Sequence, residues 1–90
     1  MPNYPDVEQL ERIRHWDHQD ARGWLKYAVS LWEWPDWGSA WRGGELALHT
    51  GGWSGNEEII EAMEDNAMLW LLTWQESRRG GHFKFKVRQT

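Results

Sequence analysis

Cysteine is absent from the sequence. That excludes a disulfide framework, a zinc–thiolate site, an iron–sulfur cluster and a thiol nucleophile. Long apolar runs are absent too; none approaches the ~18–20 residues that a membrane-spanning helix needs. Met1-Pro2-Asn3-Tyr4-Pro5-Asp6 carries neither a basic stretch nor an apolar one, so no secretory leader is expected and a cytoplasmic location is the natural reading. Charge is unevenly placed along the chain. Residues 78–90 hold five basic groups and no acid, whereas residues 1–77 hold all 14 acids and five basic groups. The overall charge is −4, which argues against general DNA binding, because phosphate contact needs net positive charge. The basic tail segment reads either as a solvated strand or as an edge that meets an anion or an acidic partner. Ninety residues leave room for one domain, 1–90, and one core.

Tryptophan is abundant. Nine stand at positions 16, 24, 32, 34, 37, 41, 53, 70 and 74. Each ring can bury ~150–250 Å² and must place its indole N–H. Most are expected in the core. A surplus on turns would be available as anchors for a protein partner or as platforms for a base. Trp37, Trp41 and Trp53 are the candidates, since each sits in or beside a turn.

Tyr4-Pro5-Asp6 opens a first helix, with Val7, Leu10, Ile13 and Trp16 on its apolar side. Asp17 or Asp20 caps a second helix over about residues 20–33, with Ala21, Trp24, Leu25, Ala28, Leu31 and Trp32 facing inward and Pro35 stopping it. Pro35-Asp36-Trp37-Gly38 is a turn by composition. Ser39–Arg42 and Glu45–Thr50 flank Gly43-Gly44 and predict a hairpin that sets Arg42 opposite Glu45 and Trp41 opposite Leu46. Ser54 with Glu57 has the spacing of a capping box and starts a third helix. Ile60, Met63, Ala67, Trp70, Leu71 and Trp74 extend its stripe, and Arg78-Arg79-Gly80 suits its end, so one long helix is expected. The rival is a strand over Met68–Ser77 that turns at Arg79-Gly80-Gly81. Against it, Gln75–Arg79 shows no alternation and would oppose polar groups to Phe83 and Phe85. His82–Arg88 alternates cleanly and reads as a half-buried strand. The expected fold is α+β: two N-terminal helices, a small two- or three-stranded sheet, and a long helix between its strands. A right-handed crossover from Glu45–Thr50 to His82–Arg88 follows if those strands are parallel.

Few residue patterns carry chemistry. Gly51-Gly52-Trp53-Ser54-Gly55 precedes a helix N-terminus, where backbone N–H groups can hold phosphate, but Glu57 and Glu58 would repel an anion there. Arg78, Arg79 and His82 flank Gly80-Gly81 and could grip phosphate or carboxylate, or simply complement a helix dipole. His15 and His18 are three apart but lack a defined third ligand, so no metal site is expected. Glu57, Glu58, Glu61, Glu64 and Asp65 read as a solvated helix face. Ser54 has no adjacent base. No catalytic residue and no cofactor is assigned, and an enzyme is not expected.

The pair of segments "TGGWSGNE" and "SRRGGHFKF" resembles a group of small bacteriophage and prophage proteins, over about residues 46–85. The resemblance implies an accessory protein acting in the cytoplasm of a bacterial host, and proteins of that kind often bind a host protein, including a defence component. On this reading the chain is a non-enzymatic protein-binding module. Its candidate contacts are Trp37, Trp41, Trp53, Gly51, Gly52, Arg78, Arg79 and His82. A homo-oligomer is a further option. The alternative is a nucleotide- or anion-binding protein that uses the Gly51–Gly55 loop with Arg78, Arg79 and His82. The course of residues 66–80 separates the two. A long helix holds the loop and the arginines roughly 35 Å apart at 1.5 Å per residue, whereas a hairpin brings them together.

Overall fold

The computed structural model describes residues 4–32 and 39–87. Helix α1 spans Val7–Arg14 and begins in a full capping box. The Asp6 carboxylate accepts from the Gln9 backbone N–H at 2.8 Å, and the Gln9 side chain accepts from the Asp6 N–H at 2.9 Å. Ile13 is fully buried, and Leu10 and Trp16 pack against the core. Val7, expected on the same side, is 74% exposed. Helix α2 spans Ala21–Leu31. Asp20 is its N-cap and accepts from the Gly23 N–H at 3.1 Å. Trp24 of α2 is fully buried, and its indole N–H donates to the Ile13 carbonyl at 3.0 Å. That bond occupies a carbonyl which the end of α1 leaves without a helical partner. The helix ends at Leu31, where Trp32 turns extended; Pro35 and the turn expected at 35–38 lie outside the described residues.

Strands β1 (Ser39–Arg42) and β2 (Glu45–His49) form the expected hairpin, with Trp41 opposite Leu46 and Arg42 opposite Glu45. Gly43 and Gly44 both have positive φ, 52° and 84°, as a two-residue turn with right-handed strand twist requires.

The long helix is not formed. Helix α3 (Ser54–Asp65) ends at Asn66, and a separate short helix, α4, runs over Ala67–Thr73. Asn66 is the reason. Its side chain is buried, with 2% exposure, and works in two directions. Its oxygen accepts from the Leu69 N–H at the start of α4, and its NH₂ donates to the Ile13 carbonyl at 3.0 Å. Asn66 is therefore the joint that ties α3, α4 and α1 together. After α4 the chain turns extended at Trp74 and forms β3 (Trp74–Arg78), which pairs with β4 (His82–Lys86). The missing alternation in Gln75–Arg79 is absorbed by a register shift between Trp74 and Glu76. Ser77 does stand opposite Phe83, and an edge strand tolerates this.

The four strands lie in the order β1-β2-β4-β3, all antiparallel. The sheet is thus larger than the two or three strands expected. No parallel crossover links β2 to β4; they run antiparallel, with Leu46 opposite Phe85 and Leu48 opposite Phe83. Leu46, Leu48 and Phe85 are buried with Ile13, Trp24, Ile59, Met63 and Leu69 from the helices. The helices cover one face of the sheet and leave the other open, an α+β arrangement in two layers. No helix among the described residues is long and apolar enough to cross a membrane.

Candidate functional site

The start of α3 differs from the sequence expectation. Trp53, not Ser54, holds the N-cap position, with no side-chain cap, so Ser54 and Glu57 form no capping box. The Trp53 ring lies on Gly55 so closely that a Cβ there would run into it, and it packs on Tyr4 with centroids 5.0 Å apart. The Tyr4 and Ser54 hydroxyls are 3.3 Å apart. Trp53 therefore closes the first turn of α3 and is only half exposed. Gly51 and Gly52 have positive φ and form the turn before it. In that turn the Gly52 N–H donates to Thr50 Oγ1 and the Trp53 N–H to the Thr50 carbonyl. These glycines serve the turn, and two of its N–H groups are already engaged. Trp41 is half-buried on β1 and packs against the core. Trp37 lies outside the described residues.

The β3–β4 hairpin brings the two glycine segments together, as the rival strand reading required. The Thr50 N–H donates to the Gly81 carbonyl at 3.0 Å. Gly81 has φ 78°, and a Cβ there would collide with Thr50 Oγ1. Beside this junction, His49 of β2 and His82 of β4 stack with centroids 4.0 Å apart and planes at 13°. Both project from the open face, because Leu46 and Leu48 turn to the core and strand side chains alternate. Ala40, Ala47, Lys84, Glu76 and Arg78 share that face through the pairs Ala40–Ala47, Ala47–Lys84, Glu76–Lys84 and Arg78–His82. Together they line a hollow of about 410 Å³. Glu76 holds two cations at once, Arg78 Nε at 3.2 Å and Lys84 Nζ at 3.3 Å. Hydrogen bonds from Arg78 and then Lys84 depress the Glu76 pKa below the usual carboxylate range. Arg79 is exposed in the turn and is not part of the hollow.

A second surface is apolar. Met68, Leu71 and Leu72 of α4 and the adjoining Trp74 are exposed by 51%, 77%, 54% and 38%. Leu71 and Trp74 were expected on the core stripe. The break at Asn66 rotates α4, so that Leu69 and Thr73 are buried instead. Trp70 is half-buried and meets Phe85 edge-on at 5.3 Å. Leu71 and Leu72 join Gln75 and Lys86 around a small hollow.

The remaining polar side chains make pairwise contacts. His15 bonds Glu11 at 3.1 Å, and no group of metal-ligating side chains is found among the described residues. Asp65 binds Arg14 at 2.9 Å, which raises the guanidinium pKa further. Sequence reasoning found Arg78 and His82 but missed His49, Glu76 and Lys84, whose strand pairing was not foreseen. It also missed the outward stripe of α4. The signal was present, since Met68, Leu71 and Leu72 at i, i+3 and i+4 form a second stripe beside Leu69 and Thr73. No family model, no curated protein and no solved structure matches the chain.

Proposed function

We propose that the chain is a non-enzymatic protein-binding module that docks through Met68, Leu71, Leu72 and Trp74. The observation that carries this reading is the exposure of four large apolar side chains on one short helix and its C-cap. Contiguous apolar surface of this kind marks interaction sites. Covering a fully exposed leucine stabilises a complex by ~1.5–3 kcal/mol. The spacing i, i+3, i+4 presents a ridge that fits the apolar face of a helix or groove on another protein. Lys86 beside Leu71 and Leu72 calls for an acidic residue at the partner's rim. A stable interface covers ~800 Å² per partner, so Gln75 and Lys86 belong to the contact as well. The resemblance to phage proteins supports a bacterial host protein as the partner. The anchors move accordingly from Trp41 and Trp53, which serve the fold, to α4.

The test uses the full chain as bait in a bacterial lysate, followed by reconstitution with the purified partner. Leu71→Glu should abolish the reconstituted complex and leave the circular dichroism spectrum unchanged. Arg79→Ala, in the turn away from the stripe, should bind as the parent does. A complex indifferent to Leu71→Glu overturns the proposal. So does a parent chain that dimerises on light scattering and loses the dimer with Leu71→Glu, for then a second copy covers the stripe.

A further inference from the structure

The open face of the sheet holds a hollow that the proposed docking surface does not use. Its floor is made of small side chains, Ala40 on β1 and Ala47 on β2, paired across the strands. On one side stands the His49–His82 stack; on another stand Arg78 and Lys84. At about 410 Å³ it falls within the ~300–1,000 Å³ range of small-molecule sites. We infer that this hollow binds a small phosphate-bearing ligand with a flat ring, a mononucleotide, with the ring on the alanine floor against the imidazoles and the phosphate on Arg78 and Lys84.

Four observations converge on that chemistry. Replacing either alanine by a larger residue would fill the floor, so the space exists because these two positions are small. The stacked imidazole pair offers a flat aromatic edge for a base to pack against. Arg78 and Lys84 are held side by side by one carboxylate, Glu76, at 3.2 and 3.3 Å. Their side chains are 71% and 45% exposed, so a ligand reaches them from solvent. A guanidinium beside an ammonium matches phosphate oxygens, and Glu76 is the internal anion that such a phosphate must displace. The sign of the Glu76 effect is therefore specific. Removing its charge should tighten phosphate binding, whereas removing Arg78 or Lys84 should weaken it. The Gly51–Gly52 turn is the neighbour of this site and not its cradle, since the Gly52 and Trp53 N–H groups are bonded to Thr50.

The experiment titrates the full chain with adenosine monophosphate, inorganic phosphate and adenosine, followed by amide and imidazole chemical shifts. The monophosphate should shift Ala40, Ala47, His49, His82 and Lys84 saturably. Phosphate alone and adenosine alone should each bind at least tenfold more weakly. Arg78→Ala with Lys84→Ala should lower affinity at least tenfold, and Glu76→Gln should raise it several-fold. Ala47→Phe, well tolerated on an open strand face, should block binding with every charge in place. Absence of a saturable response tighter than about 1 mM overturns the inference. Equal affinity for phosphate and the monophosphate refutes the seat for the ring. Weaker binding in Glu76→Gln refutes the role given to that carboxylate. Leu71→Glu should leave nucleotide binding unchanged, which separates this result from the fate of the protein-docking proposal.

Discussion

The open face of the sheet and the outward face of α4 are both in water, yet their chemistry is opposite. On the sheet, strict alternation sends Leu46, Leu48 and Phe85 to the core and leaves alanines, histidines and charged groups outside. That face is stable in water as it stands. Helix α4 carries apolar side chains on both sides, with Leu69 and Trp70 toward the core and Met68, Leu71 and Leu72 outward. A helix apolar all round needs cover on both sides, and the protein supplies it on one. On the two proposals above, charge and shape select the ligand of the sheet face, whereas uncovered apolar area drives the docking of α4.

The contrast is tested most strongly within α4 itself. Leu69→Ala should destabilise the fold by about 2–5 kcal/mol, the range for emptying a packed site. Leu71→Ala, two residues on, should stay within about 0.5 kcal/mol, as surface changes do. Urea unfolding of the pair measures the difference, and equal losses would place Leu71 in the core. A smaller effect is expected at the joint. Asn66→Ala removes the bonds to Leu69 and Ile13 inside a buried site and should cost about 1–3 kcal/mol. If that variant were as stable as the parent, Asn66 would not be what sets the orientation of α4.

The weakest effect belongs to the sheet face. The Glu76 pKa is depressed in the folded chain by Arg78 and then Lys84. Its contribution is therefore present above the usual carboxylate range and lost as pH falls through the folded value. The group is exposed, so the effect should be slight and should fade with added salt. Melting temperatures recorded from neutral pH downward should fall a little less steeply in Glu76→Gln than in the parent. Identical pH profiles would mean that the Glu76 contacts contribute nothing to folding, and a steeper fall would contradict the direction of the shift.

Much of the local structure is legible in the sequence. The β1–β2 register follows from two glycines, because a two-residue turn with both φ values positive fixes which residues face each other. The start of α2 was narrowed to Asp17 or Asp20, because a carboxylate there can accept the N–H groups that the first turn leaves open; the structure uses Asp20. The last strand is visible in the alternation of His82–Arg88, of which the structure forms His82–Lys86. The site was half legible. Arg78 and His82 stand out beside Gly80-Gly81, but their companions come from β2 and from a strand the alternation rule rejects. The capping box illustrates the same limit. Ser54 and Glu57 have the spacing, yet Asp6 and Gln9 form the actual box, because Trp53 and Tyr4 occupy the start of α3.

The sequence by itself determined the local choices: where helices can begin, where glycine turns the chain, and which strand residues share a face. Each depends on a few neighbours along the chain. Only the tertiary structure decided that the third helix breaks. Residues 54–78 support a continuous helix as well as two helices and a strand when judged by local preference alone. The balance falls to Asn66, whose amide reaches Ile13, 53 residues earlier, and to Phe83 and Phe85, which give β3 a partner. Such contacts have no signature in spacing. They place His49 against His82 and turn Leu71 to solvent, and so they define both surfaces on which the proposed functions rest.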